Sequence, residues 1–90
     1  MSRVRVGVRG RVQGVFFRAE ARARAQSLGL SGWIRNEPDG SVAAVFAGDA
    51  ERVQSMVDWC HRGPAGARVD EVDVTEETDA EDSRGGFRVL

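Results

Sequence analysis

The chain has 90 residues, of which 41% are hydrophobic and 30% are charged, and its formal net charge is −1. A chain this short buries about 60–65% of its unfolded surface, so we expect one core and a single domain over residues 1–90. The longest apolar run has six residues, well below the roughly 20 that cross a bilayer. The N-terminus has neither a secretory nor a transit pattern. These features predict a soluble cytoplasmic protein without a membrane partner.

Cysteine and histidine occur once each, and lysine and tyrosine are absent, which excludes several chemistries. One cysteine, Cys60, and one histidine, His61, leave no disulfide and no zinc or iron–sulfur site. All 13 basic residues are arginine, and tyrosine is absent. Schiff-base lysine chemistry, pyridoxal chemistry and a P-loop are therefore excluded. Any catalysis is expected to use arginine, amides and the backbone.

The charges are distributed unevenly along the chain. Residues 1–36 hold eight arginines and one acid, Glu20, whereas residues 37–90 hold five arginines and thirteen acids. This asymmetry indicates either two differently charged surfaces or an anion site in the first third of the chain.

The first predicted unit is a strand, a glycine loop and a helix. Residues 3–9 alternate, which places Val4, Val6 and Val8 on one face of a half-buried strand. An alanine-rich helix follows from Arg18, and Gly29 fits the left-handed position after its end. The apolar stripe of this helix consists of Phe17, Ala21, Ala25 and Leu28.

The second predicted unit is a hairpin. Its strands, residues 31–37 and 41–47, flank the turn Pro38-Asp39-Gly40. Strand alternation separates Gly32, Ile34 and Asn36 from Trp33 and Arg35. On the partner strand, the predicted core face consists of Val42, Ala44 and Phe46.

The last third predicts a second helix and two strands. Asp49 can cap the helix, and Gly63-Pro64 ends it. Its apolar stripe consists of Val53, Met56, Val57 and Cys60. Residues 68–75 form a strand with a bulge near Asp70, residues 76–86 an acidic loop, and residues 87–90 a short strand.

This order predicts an α+β fold with the pattern βαββαβ plus a short C-terminal strand. It is the ferredoxin-like α/β sandwich, or split βαβ arrangement, in which an antiparallel sheet carries two helices on one face.

The loop before the first helix is the candidate site. Gly10 and Gly14 allow successive backbone N–H groups to point into one concavity. The helix N-terminus adds unpaired N–H groups and a positive dipole end, and Arg18 can grip two oxygens of an anion. The alternative is a tight strand-to-helix connection with Arg18 in solvent.

Several sequence blocks carry a resemblance to a known family. They are G-R-V-Q-G-V-F-F-R at residues 10–18, L-G-L-S-G-W-I-R-N at 28–36, P-D-G-S-V at 38–42 and F-R-V-L at 87–90. In this order and separation they closely resemble the acylphosphatase family, over essentially the whole chain.

This resemblance implies that the chain hydrolyses small acyl phosphates, with no metal and no organic cofactor. It implies that Arg18 binds the phosphate and that Asn36 orients the attacking water. It also implies a phosphate cradle of backbone amides from Val12, Gln13, Gly14, Val15, Phe16 and Phe17. A stand-alone monomeric enzyme is expected.

Two other functions occur on folds of this kind. A ferredoxin-like module could bind an anion or regulate a partner without catalysis. An RNA-binding module would need aromatic residues on the open sheet face, whereas Phe46 is predicted to face the core, so no nucleic-acid partner is expected. Cys60 is interpreted as a buried structural thiol, and His61 as a helix C-terminal residue without a chemical role.

Overall fold

The computed structural model describes residues 1–77 and 86–90. Its elements follow the predicted order of strands and helices. They are β1 (Ser2–Arg11), α1 (Phe17–Ser27), β2 (Ser31–Asn36), β3 (Val42–Gly48), α2 (Ala50–Arg62), β4 (Arg68–Glu76) and β5 (Phe87–Val89). Neither helix in this part of the chain is both long and apolar enough to cross a membrane.

The five strands form one sheet in the order β4-β1-β3-β2-β5. The four longer strands pair antiparallel, as predicted, and β5 adds a parallel pair with β2 at one edge. Helix α1 packs on β2 and β5, and α2 packs on β1, β3 and β4. This arrangement confirms the ferredoxin-like fold.

The core lies between the sheet and the two helices. The predicted core faces are confirmed, since Val6, Val8, Ile34, Val42 and Phe46 are completely buried. Burying side chains of this size contributes about 1.5–3 kcal/mol each to folding. The start of α1 is fixed to α2 by one aromatic contact.

That contact joins Phe17 and Trp59, whose ring centroids are 5.2 Å apart at an interplanar angle of 56°. Phe17 is 1% exposed. Because Phe17 is the first residue of α1, its burial sets the position of the loop that precedes the helix.

The helix ends follow the predicted capping chemistry. The Asp49 side chain accepts a hydrogen bond from the backbone N–H of Arg52 at the start of α2. At the end of α1, Gly29 has φ +70°, and its N–H donates to the carbonyl of Gln26. The N–H of Leu30 donates to the carbonyl of Ala25. This pair of bonds is the Schellman arrangement, which returns the chain toward β2.

The predicted bulge lies in β4. Arg9 pairs with Glu71, but the next residue, Gly10, pairs with Val69, so Asp70 is the extra residue. At Gly10, φ is +131°, and a Cβ atom would lie 2.2 Å from the carbonyl oxygen of Arg68. Glycine is therefore required here for close backbone approach as β1 leads into the loop.

The end of β4 differs from the prediction. β4 extends through Glu76, one residue beyond the expected end, and the N–H of Glu77 still donates to the carbonyl of Arg3. The Arg3 guanidinium also binds the Glu77 carboxylate at 3.2 Å, which explains why the pairing continues. The rest of the predicted acidic loop, residues 78–85, lies outside the described residues.

Candidate active site

Residues 12–16 connect β1 to α1 and form a curled loop. Val12 is 1% exposed, and Val15 packs against the core. These two side chains anchor the loop to the core. Between and after them, Gly14 has φ +75° and Phe16 has φ +62°. Left-handed residues alternating with other conformations are the backbone pattern in which successive N–H groups line an anion-binding concavity.

The N–H groups of residues 13–19 have no hydrogen-bond acceptor within the described part of the chain. The first bond of the helix joins the N–H of Glu20 to the carbonyl of Phe16 at 3.0 Å. Phe16 occupies the N-cap position and offers no side-chain acceptor, whereas Asp49 caps α2. The loop and the first turn of α1 therefore present consecutive free donors and the positive end of the helix dipole.

A pocket of about 270 Å³ lies in front of these donors. Its volume is slightly below that of pockets that hold drug-sized ligands, which suits a small anion and the group attached to it. It brings together loop, helix and strand residues. The lining consists of Val12, Gly14, Phe16, Phe17, Arg18, Ala19 and Asn36.

Arg18 is the one charged residue among the described residues that line this pocket. It is half-buried in the first turn of α1. Other arginines form ion pairs, such as Arg35 with Glu37 at 2.8 Å and Arg68 with Asp70 at 3.2 Å. Arg18 has no such partner among residues 1–77 and 86–90. Its guanidinium is therefore available to a bound anion.

Asn36 enters the pocket from the end of β2. Its Oδ1 atom is buried and has no hydrogen-bond donor in the described part of the protein. An unpaired buried acceptor costs about 1–3 kcal/mol. A donor supplied by a water or a ligand in the pocket would remove that cost.

The Gln13 side chain lies outside the pocket. Its Nε2 atom donates to the carbonyl oxygens of Glu37 and Ser41, both at 2.9 Å. Gln13 and Val15 do not line the pocket, so the place of their backbone N–H groups in the phosphate cradle stays a prediction. Ala19 lines the pocket but was not among the predicted site residues, although its place in the first turn of α1 signals a free N–H group.

The other titratable candidates lie outside the pocket. Burial raises the pKa of the Cys60 thiol to about 12, so it is not a nucleophile at neutral pH. The Nδ1 atom of His61 lies 3.1 Å from the carbonyl oxygen of Val57 on the same helix. Within residues 1–77 and 86–90, no cluster of three or more His, Cys, Asp or Glu side chains could hold a metal ion.

Comparison with known proteins agrees with this geometry. The acylphosphatase family model matches residues 4–89. The acylphosphatase of Rubrobacter xylanophilus is 59% identical over 83 residues, which cover 92% of this chain and 76% of that protein. The acylphosphatase of Pelotomaculum thermopropionicum is 50% identical over 91 residues, which cover 99% and 98%.

A solved structure is similar over the same extent. The crystal structure of acylphosphatase from Bacillus subtilis superposes with a TM-score of 0.94 at 33% identity, over 100% of this chain and 99% of that one. The family match, the sequence relatives and the superposed structure each span most or all of the chain. The chain belongs to the acylphosphatase family.

Proposed function

We propose that this chain is an enzyme that hydrolyses acyl phosphates to a carboxylate and inorganic phosphate, with Arg18 and Asn36 as its catalytic residues. The observation that carries the proposal is that residues of the loop, of α1 and of β2 line one pocket. This pocket joins backbone N–H groups, a guanidinium and a buried amide oxygen on another element, none of which has a partner among residues 1–77 and 86–90.

The phosphoryl group occupies the end of the pocket at the loop. The N–H groups of Val12, Gln13, Gly14, Val15, Phe16 and Phe17 form its cradle. Arg18 balances the negative charge and binds two of its oxygens. In phosphoryl transfer, charge spreads over the non-bridging oxygens, so fixed donors directed at them supply most of the catalysis.

The attacking water is held by Asn36. Its Oδ1 has no donor in the described part of the chain; in the proposed mechanism it accepts a hydrogen bond from the water, which directs the water oxygen toward phosphorus. The new bond forms between that oxygen and phosphorus, and the bond from phosphorus to the acyl oxygen breaks. A carboxylate leaves readily without a general acid. No described lining residue is a base at neutral pH, so a phosphoryl oxygen takes the proton.

A binding module without catalysis would need only part of this site. The amides and Arg18 are sufficient to hold an anion, and they leave Asn36 without a role. Its buried Oδ1, at the end of β2 and without a donor among the described residues, supports a role in orienting a water.

Isotope labelling tests the proposed bond cleavage. Benzoyl phosphate is hydrolysed by the purified protein in ¹⁸O-labelled water, and both products are analysed by mass spectrometry. Attack at phosphorus places the label in inorganic phosphate. Label in benzoate, above the level of the uncatalysed reaction, would show attack at the carbonyl carbon and contradict the role given to the phosphate cradle.

A further inference from the structure

Phe16 is the exposed aromatic residue at the pocket. It is 78% exposed and lines the pocket. The chain has four phenylalanines, and the other three, Phe17, Phe46 and Phe87, are at most 4% exposed. An exposed ring of this size leaves a large apolar surface in water.

The backbone of Phe16 is also locally unfavourable. Its φ and ψ of 62° and 22° are left-handed, and among the described residues it is the one non-glycine residue with positive φ. Bulky side chains rarely adopt this conformation, which glycine adopts freely. At an N-cap position, a serine, threonine or aspartate would also add a hydrogen bond. Neither core packing nor helix capping therefore accounts for a phenylalanine here.

We propose that the Phe16 ring binds the acyl group of the substrate and that the enzyme prefers acyl phosphates with an aromatic or bulky apolar acyl group. The inference rests on the proposed function. With the phosphoryl group in the cradle, the acyl group lies opposite the attacking water and outside the cradle. An exposed aromatic side chain at the pocket offers that group an apolar surface and a stacking partner.

The preference is measured as a ratio of kcat/KM values for benzoyl phosphate and acetyl phosphate. Because an aromatic pair adds about 0.5–1.5 kcal/mol and 1.4 kcal/mol corresponds to tenfold, Phe16→Gly should lower this ratio about two- to twelvefold. Glycine suits the left-handed backbone, so the loop conformation is maintained. Phe16→Tyr retains a ring and should keep the parent ratio.

Val74→Ala is the matched control. Val74 is an exposed apolar residue, 46% exposed, on the edge strand β4 and outside the pocket. Its loss should leave the ratio unchanged, which excludes a general effect of removing exposed apolar surface.

The outcomes separate this inference from the proposed function. If the parent hydrolyses both substrates and Phe16→Gly retains the parent ratio, the acyl-binding role of Phe16 is wrong and the hydrolase assignment stands. The role is equally wrong if Phe16→Tyr loses the ratio as fully as Phe16→Gly does. If the folded parent hydrolyses neither substrate, the proposed function itself is overturned.

Discussion

Asn36 and Arg18 reach the pocket from different elements, and each has a different unmet requirement. Arg18 carries a positive charge with no carboxylate partner in the described residues, and Asn36 carries a buried acceptor with no donor. The charge of Arg18 is balanced by a bound anion, and the Oδ1 acceptor of Asn36 is satisfied by a hydrogen-bond donor such as water. This difference assigns the two residues separate effects on binding and turnover.

Replacing Asn36 with alanine should separate these effects. Because Asn36 is assigned to the water, Asn36→Ala should lower kcat about 10²-fold or more while inhibition by inorganic phosphate stays close to that of the parent. The free energy of unfolding should not fall, because the substitution removes a buried acceptor that has no donor among residues 1–77 and 86–90. Steady-state kinetics and urea denaturation measure both quantities.

Gln54→Ala provides the control, since it removes an exposed carboxamide on α2 that binds only the Asp58 side chain among the described residues. Its kinetics should match those of the parent. If Asn36→Ala loses phosphate inhibition together with turnover, then Asn36 binds the anion and the assignment to water is wrong.

At the scale of elements, Gln13 joins the loop to the β2–β3 hairpin. Its two hydrogen bonds, each 2.9 Å long, reach the carbonyls of Glu37 and Ser41 on either side of the turn. The N–H of Glu37 also donates to the carbonyl of Ser41 at 2.8 Å. Glu37 directly follows Asn36, so one side chain fixes the cradle relative to the residue assigned to the water.

Gln13→Met should therefore lower stability and turnover together. Methionine has a similar length but donates no hydrogen bond, so two carbonyls lose a donor, at a cost of about 1–3 kcal/mol in free energy of unfolding. The loop should also lose its fixed distance from Asn36, and kcat should fall about tenfold or more, because small displacements at a reacting centre are costly. Denaturation curves and steady-state kinetics provide the two measurements.

Gln26→Met is the matched control because Gln26 is exposed on α1 and its side chain makes no hydrogen bond within the described residues. It should be close to the parent in both respects. A Gln13→Met protein that is less stable but has the parent kcat at a temperature where it is folded would show that Gln13 does not position the site.

Most elements could be predicted because their signals are local. The Schellman end at Gly29, the cap at Asp49 and the bulge at Asp70 each depend on residues within a few positions along the chain. The resemblance also singled out Arg18 and Asn36, which the structure brings into one pocket.

Other features depend on tertiary contacts and could not be predicted. The partners of the Gln13 side chain lie 24 and 28 residues away. Val45 alternates out of phase with the core face of β3 but is 1% exposed, because it lies between Arg5 on β1 and Trp33 on β2. The Arg5 guanidinium carbon lies 5.3 Å from the Trp33 ring centroid, so the pair covers the open side of the central strand.

For the whole molecule, the charge asymmetry of the sequence is partly neutralised within the sheet. Arg9 on β1 lies 4.0 Å from the carboxylates of Glu71 and Asp73 on β4, and Arg3 binds Glu77. Each exposed pair contributes little to stability. Their effect is to place acids beside the β1 arginines, at the sheet edge opposite α1, and the pocket retains a positive charge.

The side chains assigned to catalysis predict a weak dependence of turnover on pH. A guanidinium and a carboxamide do not titrate near neutral pH, and the Cys60 thiol, with its pKa raised to about 12 by burial, stays protonated. At saturating substrate, kcat should be nearly constant from about pH 5 to 8. A pH-dependent limb in this range that disappears in His61→Gln would assign an essential role to His61 and contradict the proposed mechanism.

The most direct measurement is the hydrolysis of benzoyl phosphate in EDTA by the parent, Arg18→Ala and Arg22→Ala. Arg22 is exposed one turn further along α1 and outside the pocket, so it controls for the loss of an arginine. The proposed mechanism predicts turnover by the parent and Arg22→Ala. It predicts that Arg18→Ala loses about 10²–10³-fold in kcat together with inhibition by phosphate. A folded parent that binds phosphate without turnover, or an Arg18→Ala protein as active as Arg22→Ala, would contradict it.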